Sequence, residues 1–309
     1  MVYPIVYVGY YKKVAFGNPN LKLESQSITM SIEHVISLVS YGNDYLFRGR
    51  THELLSASER SRVTFKEVHP QALEETIITH SAQEWFVWLQ KRGCKRFQIY
   101  HDTEEAKNFG DVYYTDNGKG WYIETVFDET SSFWKQPQYW KNVWTYTKDA
   151  KARGYTEFSE LSIIHDHSKS QVVNPKTEME KAMQQLQIAL THILEFATAH
   201  LLPGWDEVFQ NILEQLQNKP FSSSRLDGDS SFLIKGWVIE ENYDDLQLRL
   251  LKVIARLFIF TGWNSWNELD ERWDWNEETR KLYIQVSEEL YKARNVLLVN
   301  TINQDKFTK

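Results

Sequence analysis

The 309-residue sequence predicts an α+β fold, with a mixed domain of antiparallel hairpins and helices over residues 1–172 followed by an acidic helical domain over 173–309. Three observations carry this reading. Short β-branched and aromatic runs alternate with helical patterns in the first half. Apolar residues recur at i, i+3, i+4 and i+7 over long stretches of the second half. Between the two, polarity rises abruptly at Ser168-Lys169-Ser170-Gln171, and the domain boundary is placed there.

In chain order, Val2 to Tyr11 is β-branched and aromatic and predicts a buried strand. Ile32, Val35, Ile36 and Val39 share one helix face, and Trp85, Phe86 and Leu89 repeat the pattern over Ala82 to Gln90. Strands are expected at Tyr45 to Phe47, Arg62 to Phe65, Arg96 to Tyr100, Asp111 to Thr115, Trp121 to Phe127 and Leu161 to Ile164. Asn117-Gly118 predicts a tight hairpin turn, because both residues tolerate positive φ.

In the second half, Asn174-Pro175 reads as a helix start. Met179, Ala182, Met183, Leu186, Leu190, Ile193, Leu194, Ala197 and Leu201 then form one buried stripe, closed by Pro203-Gly204. Trp205, Val208, Phe209, Ile212, Leu213 and Leu216 define a second helix, and Asp244 to Phe260 a third. Asn276 caps a fourth, whose first turn carries Glu277 and Glu278 where the helix dipole favours acids; Leu282, Tyr283, Val286, Leu290, Val296 and Leu297 line it. A hairpin or strand is expected at Phe232 to Ile239.

Composition bounds the function. The single Cys94 forms no intramolecular disulfide, the start lacks the pattern of a secretory signal, and no run of about eighteen apolar residues occurs, so a cytoplasmic chain without a membrane span is expected. Residues 1–175 hold 20 Lys and Arg against 21 Asp and Glu, while residues 176–309 hold 15 against 21, a formal −6. A nucleic-acid binder concentrates positive charge, so nucleic acid is not expected as a partner. The acids are either a solvated helical face or a surface that steers a basic protein partner.

Few residues suggest chemistry. His101, Asp102, His165 and His167 place ligand-type side chains at two strand ends, where they either start polar loops or converge as a metal or acid–base site. Cys94, among Lys91, Arg92, Lys95 and Arg96, is either an activated thiol or part of a helix ending at Gly93. Glu104-Glu105, Glu240-Glu241 and Asp244-Asp245 read as solvated pairs. Aromatic and basic residues interleave from Phe133 to Lys148, a pattern that stacks bases in some single-strand binders and that packs a core or an interface here. No phosphate-cradling glycine loop or nucleophile elbow occurs, and neither a metal nor a cofactor is expected.

Binding is the better-supported expectation. Arg48 and Arg50 flank Gly49 and can present guanidiniums and backbone N–H groups to an anion. The words Phe47-Arg48-Gly49 resemble the short signature of the FRG domain, but three residues are unspecific and the rest of that pattern is absent. Trp263, Trp266, Trp273 and Trp275 crowd thirteen residues of a chain holding 12 Trp, and such side chains dominate binding energy where they are exposed. They are otherwise core residues closing a bundle.

Residues 250–269, ending Phe260-Thr261-Gly262-Trp263-Asn264-Ser265-Trp266-Asn267-Glu268-Leu269, resemble helical proteins of bacterial toxin-immunity neighbourhoods, with Asn264 in place of the second glycine of that pattern. The resemblance implies a non-catalytic protein that inhibits a partner by occlusion, and it carries over no catalytic residue. The expected function is therefore an immunity-type interaction protein, with an enzyme built on the His/Asp cluster as the alternative.

Overall fold

The structure, a computed structural model, describes residues 30–53, 61–68, 75–106, 120–127, 136–149, 156–165, 178–217, 234, 236–260, 265–269 and 273–308. The predicted strands at Val2 to Tyr11 and Asp111 to Thr115, the Asn117-Gly118 turn and the boundary at Ser168 to Pro175 lie outside these residues. The fold is α+β. Its helices are α1 (Met30–Arg48), α2 (Ala82–Lys91), the single turn α3 (Thr103–Ala106), α4 (Met179–Ala199), α5 (Trp205–Leu216), α6 (Asp245–Ala255) and α7 (Glu277–Asn303). The strands are β1 (Ser61–Val68), β2 (Glu75–Thr79), β3 (Cys94–His101), β4 (Trp121–Phe127), β5 (Gln138–Asp149) and β6 (Thr156–His165).

They form one six-stranded sheet in the order β2-β1-β6-β5-β4-β3. Its pairs are antiparallel except β1 with β6. Helices α1 and α2 cover one face. There Trp85 of α2 stacks on Phe65 at 4.6 Å and meets Trp140 edge-on at 5.2 Å, while Trp140 Nε1 donates to Thr125 Oγ1 at 3.0 Å. Helix α1 approaches β3 so closely that a Cβ on Gly42 would lie 2.7 Å from the Phe97 ring, and only glycine fits there.

Several expectations change. Tyr45 to Phe47 is not a strand but the last turn of α1, because the apolar helical spacing continues through Leu38 and Tyr41 until Gly49, at φ +70°, donates its N–H to Tyr45 O and ends the helix. Helix α6 stops at Ala255, short of Phe260. Of Phe232 to Ile239, the described residues are Ile234 and Gly236 to Ile239, which hold a turn at Gly236-Trp237 and a single bridge residue, Val238. Strands β2 and β5 carried no recognised signal. In β5, adjacent Tyr139 and Trp140 are both buried, so the alternation that marks a half-exposed strand is absent.

In the second half, α4 and α7 run antiparallel, with Phe196 against Tyr283 at one end and Met179 against Thr301 at the other. The predicted halves share a continuous hydrophobic core. Helix α7 packs on β3, and Ser37 and Tyr41 of α1 both donate to Gly236 O, at 2.9 and 2.7 Å. No helix among the described residues is long and apolar enough to cross a membrane.

Candidate functional site

The tryptophans separate into two roles. Trp266 is fully buried and is not a surface anchor: its Nε1 donates to Ser287 Oγ at 2.7 Å, its carbonyl accepts from Tyr283 Oη at 2.6 Å, and Trp205, Phe209 and Tyr283 surround its ring. Trp273 and Trp275 are half-buried, their undersides against the core. Trp275 meets Phe196 at 5.7 Å, Tyr283 at 4.8 Å and His200 at 6.5 Å. Trp263 lies outside the described residues.

Beside Trp275, α4 ends in an unusual way. His200 caps the helix, Leu201 N–H donates to Thr198 O at 3.2 Å, and Leu202 N–H donates to Ala197 O at 3.0 Å. This is the paired bonding of a Schellman motif, whose first residue past the cap takes the left-handed conformation and is normally glycine. Here that residue is Leu201, at φ +49°, the one non-glycine with positive φ among the described residues. Leu201 is 81% exposed, while the next residue, Leu202, is buried. The helical stripe read from sequence placed Leu201 in the core. The helix ends before reaching it, and the left-handed turn swings it outward. Leu282, also expected to be buried, is exposed as well.

Acids surround this end of the molecule. Because α4 and α7 are antiparallel, the end of α4 lies beside the start of α7, where Glu277 and Glu278 and the preceding Asp274 are exposed; α5 begins there too, with Asp206 and Glu207. Leu201 and the partly exposed Trp273 and Trp275 are the apolar groups of this end, among acids of which Glu277 pairs with Lys281 at 2.7 Å. An apolar centre with a polar rim is the anatomy of a protein interface.

Arg48 and Arg50 lie elsewhere, at the end of α1. Arg48 Nη1 donates to Asp44 Oδ1 at 2.9 Å and to Asn242 Oδ1 at 2.7 Å, and its guanidinium lies 4.9 Å from the centre of the Phe307 ring, which stacks on Phe47 at 4.5 Å. Asp44 is fully buried and also holds His52 Nε2 at 2.7 Å. Arg50 pairs with Glu241 at 2.8 Å. Asp44 lies one turn before Arg48 on α1 and was not singled out, while Asn242 and Glu241, the latter read as part of a solvated pair, come from a separate element. Only the segment Arg48 to His52 was visible as a unit.

The His/Asp cluster does not assemble as the alternative requires. His165 on β6 and His101 on β3 have β5 and β4 between them, so about 14 Å of sheet separates their strands at the usual spacing near 4.8 Å. His165 is buried, stacked on Trp140 with Nε2 at 3.0 Å from Gln138 Oε1. His101 sits under α7, with Nε2 at 3.3 Å from Asn295 Nδ2 and 3.4 Å from Tyr291 Oη. Burial and then the Arg294 charge push its pKa down to about 3, so the imidazole is neutral. Asp102 holds the adjoining turn, its N–H donating to Gly120 O at 2.7 Å, and His167 lies outside the described residues. No group of three or more His, Cys, Asp or Glu side chains among the described residues is placed to hold a metal ion. Cys94 is buried and its thiol is pushed up to about 12 by burial, which makes it inert rather than activated.

No family model, curated protein or solved structure matches this chain.

Proposed function

We propose that the chain is a non-catalytic interaction protein of immunity type, acting in the cytoplasm by occluding a basic protein partner with the acid-rimmed end built from Leu201, Trp273 and Trp275. The single observation that carries this reading is Leu201. A leucine in the left-handed region costs about 1–2 kcal/mol relative to the right-handed conformation, and its exposed side chain recovers little of that by burial. A glycine would satisfy the same turn without strain. Strain retained at an exposed apolar side chain is explained when that side chain has a use outside the fold.

The acids support the choice of partner. Asp206, Glu207, Asp274 and Glu278 attract a positively charged surface and hasten its encounter, while the apolar groups supply the contact that water leaves on docking. The reading is tested by presenting the wild-type chain, Leu201→Gly and Trp275→Ala to a lysate of the source organism, then purifying whatever the wild type retains and the variants release. Support requires that the purified partner be basic, bind the wild type directly, and lose affinity as salt rises. Retention of the same proteins by all three chains contradicts it.

A further inference from the structure

We infer that the end of α1 carries a second binding site, for a phosphate monoester, which the carboxylate of Glu241 occupies as an internal stand-in. This site is independent of the acidic tip. The tip lies at the start of α7 and this cluster lies beside the segment that follows the end of α7, and a 27-residue helix spans about 40 Å.

The donors are held in place. The Arg48 guanidinium is fixed on three sides, by the buried carboxylate of Asp44, by Asn242 Oδ1 and by the ring of Phe307. Only its Nη1 is used, and among the described residues Nη2 and Nε have no hydrogen-bond partner. Asn242 is 1% exposed, yet its amide Nδ2 has no acceptor. A buried donor left unpaired is costly, and it is retained here while the oxygen of the same amide fixes Arg48. Arg50 adds a second guanidinium from the exposed side, and Gly49 between the two arginines leaves open space where any side chain would project.

Glu241 Oε2 sits between the two guanidiniums, 2.8 Å from Arg50 Nη1 and 3.6 Å from Arg48 Nη1. Its side chain is 67% exposed, and an exposed ion pair is readily broken. One carboxylate oxygen shared by two cations satisfies them poorly. A phosphate monoester offers three terminal oxygens, enough to meet Arg48 and Arg50 separately, and nearly two negative charges for the two arginines that Glu241 releases. Asp44 stays committed to Arg48 and His52 beneath.

The test titrates phenyl phosphate, with acetate as the comparison anion, into the full-length wild type, Glu241→Gln and Arg50→Ala, and reads heat and amide chemical shifts. Arg48 is left in place because removing it strips a partner from buried Asp44. Removing the competing carboxylate is expected to tighten phenyl phosphate binding by roughly two- to fivefold, the worth of an exposed ion pair. Arg50→Ala is expected to abolish binding while leaving the thermal transition unchanged. The inference is overturned if Glu241→Gln binds phenyl phosphate no better than Arg50→Ala, or if acetate binds as tightly as phenyl phosphate.

Discussion

Asn303 pairs with Ile99 as a neighbouring strand would: Ile99 N–H donates to Asn303 Oδ1 at 2.8 Å and Asn303 Nδ2 donates to Ile99 O at 2.9 Å. Two residues back, Asn43 of α1 does the same to Phe97, with distances of 2.8 and 3.0 Å. Strand β3 is the edge of the sheet, and its free N–H and C=O groups on that side alternate at the spacing of Phe97 and Ile99. Two asparagines on two helices thus close an edge that would otherwise recruit another chain. Arg96 Nη2, bonded to Asp305 Oδ1 at 3.1 Å, and Asn43 Nδ2, bonded to Asp305 Oδ2 at 2.9 Å, tie the end of the chain to the same strand.

Replacing both Asn43 and Asn303 with Ala is therefore expected to cost more than two ordinary hydrogen bonds. Each change leaves a backbone donor and acceptor of β3 unpaired, at about 1–3 kcal/mol for a buried group. Denaturant unfolding should show a loss of several kcal/mol. Amide exchange at Phe97 and Ile99 should accelerate ahead of the sheet centre, and light scattering should show self-association that grows with concentration. Unchanged exchange at those two amides would show that the asparagines do not guard the edge.

His101 predicts how stability depends on pH. Its folded pKa, near 3, lies below the unfolded value near 6.5, so the unfolded chain takes up a proton first. The contribution of neutral His101 is complete above pH 6.5 and is lost as pH falls from 6.5 toward 3, at up to about 1.4 kcal/mol per pH unit. Unfolding free energies of wild type and His101→Gln measured between pH 4 and 8 should differ in slope below 6.5 and run parallel above it. Parallel curves throughout would place the titrating imidazole in water.

The two kinds of tryptophan should respond differently to truncation. Trp266 fills the space between Trp205, Phe209 and Tyr283, so Trp266→Ala is expected to cost about 3–5 kcal/mol of folding stability. Half-buried Trp275 has less packing to lose, and Trp275→Ala should cost about 1–2 kcal/mol. Chemical denaturation of the two variants decides the ordering.

Much of the fold was legible wherever one face of an element meets water. The stripe from Ala182 to Ala197 announced α4, and Asn276 announced the start of α7, where its side chain accepts from Thr279 N–H at 2.8 Å. Elements covered on both sides were not legible. In β5, Tyr139 and Trp140 both face other protein, so no alternation survives. The Arg48 cluster was half-legible, since Arg48, Arg50 and His52 are adjacent in sequence, whereas Glu241 and Asn242 reach them only through tertiary packing. Leu201 misled the sequence reading because periodicity does not register that the helix stops at Ala199.

Leu201 combines backbone strain with an exposed apolar side chain, and one substitution separates the two. Leu201→Gly relieves the left-handed leucine and discards an exposed side chain; the greater unfolded-state freedom of glycine offsets part of the gain, leaving a predicted increase of about 0.5–1 kcal/mol in unfolding free energy. Affinity for the basic partner should fall at least about tenfold in the same protein, as expected of a central apolar contact. A variant more stable and weaker in binding is the predicted result. A variant that loses stability, or one that binds as tightly as the wild type, would contradict the claim that this end of the molecule is built to hold a partner.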